Sequence, residues 1–136
     1  MAKTKIIPRG LRNNNPLNIR VGNVWLGEVS NPTDGVFEQF TSIEYGLRAG
    51  FVLIRRYIRH YKNNTIRLIV SRWAPSTENN TEAYIQRVSQ ASGIAPDNLL
   101  HYEDEEAMCK IVDAMVLVEC GERVPMVTIH KGYKMA

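Results

Sequence analysis

Four carboxylates, Glu28, Asp34, Glu38 and Glu44, are the acidic groups of the first 72 residues, and their neighbours decide what chemistry they can do. Glu28 follows Trp25-Leu26-Gly27. An apolar wall disfavours the charged form of a carboxyl group, and a carboxyl kept protonated can protonate a leaving oxygen. Asp34 opens the turn before Gly35 and is a candidate second carboxylate, the group that acts as nucleophile or activates water in glycoside cleavage; its bland role is to hold the turn. Glu38 alternates with Phe37 and faces either solvent or a cleft, while Glu44 suits a helix cap. Several side-chain amides lie close by, Asn13, Asn14, Asn15 and Asn18, with Trp25 following and Arg12 and Arg20 flanking. Paired donors and acceptors beside an aromatic ring face suit neutral, amide-bearing sugars. The candidate acids are therefore Glu28 and Asp34, and the candidate groove residues are Arg12, Asn14, Asn15, Asn18 and Trp25.

These residues must be positioned by the segments around them. From Arg9 to Gly35 the chain is punctuated by Asn13-Asn14-Asn15-Pro16, Gly22-Asn23, Asn31-Pro32 and Asp34-Gly35, with short β-like pieces at 17–21, 24–26 and 36–40. This predicts a small hairpin or three-stranded lobe over about residues 14–40. At Thr41 the period changes. Thr41-Ser42-Ile43-Glu44 has the spacing of a capping box, opening a helix with Ile43, Leu47, Phe51, Ile54, Ile58 and Tyr61 on one face. Further helices are expected from Thr65 to Trp73, from Asn79-Asn80-Thr81-Glu82 to Gly93, and from Glu103-Asp104-Glu105-Glu106 to Gly121. Tyr84, Ile85, Val88 and Ala91 face inward on the helix that ends at Gly93. Residues 122–136 are expected to form a short strand or a docked tail. The fold class is α+β, mainly α, as a single domain over 1–136 with a helical part at about 42–121.

Composition narrows the function. The 136 residues are 44% hydrophobic and 23% charged, which suits a globular domain and excludes a disordered or disulfide-framed chain. Residues 1–72 hold 12 basic and 4 acidic side chains, and residues 73–136 hold 5 and 10, so a net +3 hides halves of opposite sign. Arg48, Arg55, Arg59 and Lys62, with Arg56 at the flank, share one helix face. That stripe would steer a polyanion, nucleic acid or an acidic wall polymer, or is simply the solvated side of an amphipathic helix. A helix-turn-helix at 41–73 would offer only Arg67 and Arg72 as base readers on an otherwise apolar second helix. His60, His101 and His130 have no metal-ligand spacing in sequence, and no phosphate loop or nucleophile elbow occurs, so no metal or organic cofactor is expected. Cys109 and Cys120 would lie ~16 Å apart on one helix, beyond disulfide reach. Met1 to Arg9 is basic but lacks an apolar core, so a cytoplasmic product without a signal peptide is expected, with no membrane span.

The run Arg9-Gly10-Leu11-Arg12-Asn13-Asn14-Asn15-Pro16-Leu17-Asn18-Ile19-Arg20 resembles the opening of a phage and prophage family of virion structural or lytic proteins with a lysozyme-like fold. Trp25-x-Gly27, Asp34-x-x-Phe37-x-x-Phe40, Tyr45-Gly46-Leu47-Arg48-Ala49, Thr65-Ile66 and Arg72-Trp73-Ala74-Pro75 extend the likeness to roughly residues 9–100. The segment Asn14-Asn15-x-x-Asn18-Ile19 with Trp25-x-Gly27 is similar to the β-lobe of bacterial glucosaminidases. Glu78-Asn79-Asn80-Thr81-x-x-Tyr84 is similar to a Glu-Thr-x-x-Tyr segment of lytic transglycosylases. The resemblance implies cleavage of the β-1,4 link of peptidoglycan, with the glycan strand and virion components as partners and delivery to the wall by virion or lysis. It also implies a difference. Those relatives carry a catalytic glutamate on a helix before the lobe, whereas the eight residues before Arg9 hold no Glu or Asp. The acid has then moved, with Glu78 a third candidate beside Glu28 and Asp34, or the chain keeps a wall-binding groove without catalysis. A murein endopeptidase also exists among phage proteins of this fold, so the bond class stays open.

Overall fold

The central element of the protein is a helix whose middle turns are buried all round. In the computed structural model, which describes residues 6–136, Ile111 to Val116 of this helix are all buried. Its apolar residues are too continuous for one stripe, and such a helix must be surrounded. In chain order the helices are α1 (Arg9–Arg12), α2 (Ile43–Arg59), α3 (Ile66–Trp73), α4 (Thr81–Ser92), α5 (Glu105–Cys120) and α6 (Met126–Met135). The central helix is α5, packed by α4, α6 and α1; α6 also lies along α2, and α3 rests on α4. A single cluster of buried side chains runs from Leu17 and Phe40 through Phe51, Ile66 and Ile85 to Met115 and Ile129.

The helix ends follow local chemistry. Asn80 accepts a hydrogen bond from the Ala83 amide and Asp104 one from the Ala107 amide, each satisfying a free N–H of a first turn. Thr65 does the same for Leu68. Gly93 and Gly121 end α4 and α5 in the left-handed conformation, at φ 74° and 71°. The box at Thr41 does not form. The residue before α2 is Ser42, which makes no capping hydrogen bond, and Thr41 Oγ1 instead donates to the Gly27 carbonyl, tying α2 to the preceding segment. Ala91 is exposed on α4, and Tyr61 is exposed because α2 ends at Arg59, before the apolar face reaches it.

The N-terminal lobe differs from expectation in kind. Among the described residues it contains no strand. Antiparallel pairing is reduced to two isolated bridges, Arg20 with Phe37 and Glu28 with Phe40, and the fold is mainly helical. The backbone polar groups of the lobe pair through scattered backbone bonds, among them the Val21 N–H to the Val36 carbonyl and the Glu38 N–H to the Ile19 carbonyl, and through the side chains of Asn14 and Asn15. This suffices because each must be paired but need not be paired by a continuous ladder. Gly46 explains how the lobe docks. A Cβ there would sit 1.9 Å from the Asn14 carbonyl oxygen, so only glycine lets the Asn14–Asn15 turn lie on α2. Within residues 122–136 the chain forms α6 (Met126–Met135) rather than a strand or tail. Of the basic opening stretch, Met1 to Lys5 lie outside the described residues. No helix among the described residues is long and apolar enough to cross a membrane.

Candidate functional site

The basic stripe of α2 is mostly spent within the molecule. Arg59 pairs with Glu103, Arg55 and Arg59 both lie over the Tyr102 ring at 5.5 and 5.4 Å, and Arg48 donates to the Met135 carbonyl. The apolar side of α3 is buried at Ile66, Ile69 and Val70, and the two arginines a base-reading helix would use are engaged within the molecule, Arg67 with Glu82 and Asp97 and Arg72 with Asn63.

The candidate acids separate sharply. Asp34 accepts both Arg9 guanidinium nitrogens at 2.7 and 2.6 Å, the Asn13 amide at 3.0 Å, and the backbone N–H groups of Val36 and Phe37. The Arg9 bonds, then the two backbone donors, hold its carboxyl far below the usual range. It is an ionised clamp that closes the 34–37 turn onto α1, and it has no proton to give. Glu28 accepts from the Trp25 amide at 3.1 Å and lies beside Glu38. Glu38 is 8% exposed, with Oε2 buried and unpartnered; burial first, and then the Glu28 carboxyl, push it up to about 7. Phe37 faces the cleft described below, and Glu38, its neighbour in an extended segment, does not line it.

The amides divide in the same way. Asn15 is fully buried and bonds both the N–H and the carbonyl of Ile19 and the carbonyl of Glu38. Asn14, at φ 54°, donates to the Phe40 carbonyl. Both add to the few backbone bonds that hold the lobe together. Trp25 is 9% exposed, so its ring belongs to the core rather than to an open sugar platform. Arg12 lines a separate shallow depression with Arg9, Thr33 and Gln39. Only Asn18 and Glu78 among the expected residues reach the principal cleft.

That cleft holds about 410 Å³ between the lobe and the helices. The lobe supplies Asn18, Arg20, Asn23 and Phe37, α2 supplies Leu53 and Tyr57, α3 ends in it at Trp73, Glu78 and Asn79 form a rim, and α5 contributes Glu119. Tyr57 and Trp73 meet edge to face at 6.1 Å, while Arg20 and Glu78 approach to 3.6 Å across the opening. Glu119, in the last turn of α5, is the residue that sequence reasoning missed. Asn18 Nδ2 donates to its Oε1 at 3.0 Å and the Tyr84 hydroxyl to its Oε2 at 2.9 Å. Burial raises its pKa above the ordinary value, and the two donors oppose that rise without cancelling it. Asn18 holds φ 52°, an uncommon conformation that asparagine tolerates better than most residues. The available signal was a carboxylate just before the Gly121 cap, where the negative end of a helix disfavours an anion.

No family model matches the chain. Over 117 residues it is 41% identical to Protein P5 of Pseudoalteromonas phage PM2, covering 83% of this chain and 71% of that protein. Identity at that level over that span is too extensive for a shared motif alone: the chain belongs to the family of this phage protein.

Proposed function

We propose that the protein is a lysozyme-like, virion-associated lytic protein that cleaves the glycan strand of peptidoglycan, with Glu119 as the acid. One observation carries the reading: a carboxyl group with raised pKa sits on a rigid helix, at the wall of an open cleft lined by amides and aromatic rings. A general acid works best when burial brings its pKa toward the working pH. Asn18 and Tyr84 fix the carboxyl's orientation, and Tyr57 and Trp73 offer ring faces to sugars. Glu119 protonates the glycosidic oxygen as the C1–O bond breaks. The resulting carboxylate then takes the proton of the muramyl 6-hydroxyl as that oxygen bonds to C1, giving an anhydro end without a second carboxylate. The likeness of the Glu78–Tyr84 segment to lytic transglycosylases and the phage origin of the relative support this reading, in which the acid enters the groove from α5.

The test is digestion of purified sacculi by the wild type and by Glu119→Gln. Soluble fragments with anhydro-muramic ends from the wild type, and none from the folded variant, are expected. Reducing ends would make the enzyme a hydrolase, and new free amines a peptidase, each replacing the assigned bond class. Sacculus binding without release by both proteins would leave a wall-binding module, and the enzymatic reading would fall.

A further inference from the structure

On the side of α5 away from Gly121 and the cleft, three ligand-bearing side chains converge that the lytic reading does not use. Glu105 and Cys109 lie four residues apart on α5 and so share one face. His130 comes from α6, which packs against α5. One ligand atom of each, a carboxylate oxygen, the Cys109 Sγ and a ring nitrogen, lies within 4.8 Å of the other two. Tetrahedral zinc with ligands at 2.0–2.3 Å places them about 3.3–3.8 Å from one another, so small side-chain rotations of Glu105 and His130 close the set. Glu105 Oε2 is already 2.6 Å from His130 Nδ1.

Two further features distinguish this cluster from an ordinary ion pair. A Glu–His pair has no need of a thiol, yet the fully buried Cys109 is the third corner. With Nδ1 turned toward the cluster, His130 Nε2 points at Glu106, whose Oε1 is 3.7 Å away. A carboxylate behind the distal nitrogen is the usual outer partner of a metal-bound histidine, fixing its tautomer and raising its basicity. His130 and Glu105 are partly exposed, which gives an ion an entry path and leaves room for a water as fourth ligand.

We propose that Glu105, Cys109 and His130 form a binding site for a divalent zinc-like cation that fastens the C-terminal helix α6 to the central helix α5. The mixed thiolate, imidazole and carboxylate donors suit zinc rather than calcium or magnesium, which prefer all-oxygen shells. On binding, the Cys109 thiol releases its proton to solvent as the sulfur–metal bond forms.

The test uses the full, untagged, reduced chain, loaded with zinc and dialysed against metal-free buffer. One retained equivalent per chain is expected by elemental analysis, together with a rise in Tm that a chelator reverses. Replacing zinc with cobalt(II) reports the ligands directly. A thiolate-to-cobalt charge-transfer band should appear in wild type and in Cys120→Ala, and vanish in Cys109→Ala. Because Cys109 is in the core, His130→Gln serves as the variant least prone to misfolding, and it should weaken zinc binding at least tenfold. Glu106→Gln should weaken it about tenfold through the outer contact. Failure of the wild type to retain zinc, or equal retention by wild type and His130→Gln, overturns the proposal. No wall substrate enters these measurements, so their outcome is independent of the lytic activity.

Discussion

Five hydrogen bonds converge on the Asp34 carboxylate, and all favour its ionised form. The folded pKa is depressed, so the stability it contributes is fully present above the unfolded value of about 3.9 and is lost as pH falls toward the folded value. Asp34→Asn should therefore lower Tm at pH 7, with the gap to wild type narrowing on acidification in thermal melts across pH 2 to 7. Glu38 has the opposite sign. Its folded pKa, about 7, lies above the unfolded value of about 4.3, so the folded state holds the extra proton. Its contribution is present below that unfolded value and disappears as pH rises through about 7. Glu38→Gln should flatten this dependence and raise Tm at pH 8 relative to wild type. A variant that melts below wild type at pH 8 would refute the buried-acid assignment. Residue type alone could not separate these roles. Asn15 and Asn18 look equivalent in sequence, yet one is a buried backbone staple and the other holds a cleft carboxyl. Three-dimensional packing makes that distinction.

At the scale of elements, apolar periodicity made α2 to α5 legible, and cap residues marked the ends of α4 and α5, because those signals are local. The lobe and α6 were not. In the lobe, turn residues and alternating β-branched positions suggested strands, but the backbone pairs there form only isolated bridges, and Asn15 joins the segments where a longer ladder would have done so. In α6, Val127, Thr128, Ile129 and Gly132 all have poor helix propensity, and tertiary contact overrides it. Phe51 meets Tyr133 edge to face at 5.5 Å, and Tyr133 stacks on Tyr102 at 5.2 Å. Gly132 lies directly on α2, where an added Cβ would come within 2.6 Å of the Leu47 Cβ and 3.4 Å of its backbone. Gly132→Ala improves helix propensity by roughly 1 kcal/mol, but it must push α6 off α2, an overpacking cost of about 1–3 kcal/mol. Net destabilisation is expected in urea unfolding. A stabilised variant would mean that α6 is not seated on α2 as described.

Across the whole molecule, the opposed charges of the two halves now have a structural account. Arg59 with Glu103, Arg67 with Glu82 and Asp97, and Arg20 with Glu78 set basic groups of the first half against acidic groups of the second on the folded surface, and the acidic run at 103–106 caps and flanks α5. The cleft likewise belongs to no single segment. Asn18 and Glu119 are 101 residues apart in sequence, and Tyr84 reaches the same carboxyl from α4, so no local motif could announce the trio. Its geometry makes a prediction that needs no assumption about substrate. Asn18 and Tyr84 each stabilise the ionised form of Glu119, so removing either donor must raise its pKa further. A hydrogen bond to a charged group is worth about 1.5–3 kcal/mol, and one pKa unit corresponds to about 1.4 kcal/mol. Tyr84→Phe should therefore shift the Glu119 titration upward by about one unit or more, read from the carboxyl carbon by NMR with Glu119→Gln to assign the signal. If Glu119 is the acid of a lytic reaction, the basic limb of the activity profile moves up by the same amount, because the acid stays protonated to higher pH. A shifted titration with an unmoved pH profile would separate the trio from catalysis and leave it a purely structural junction between the lobe, α4 and α5.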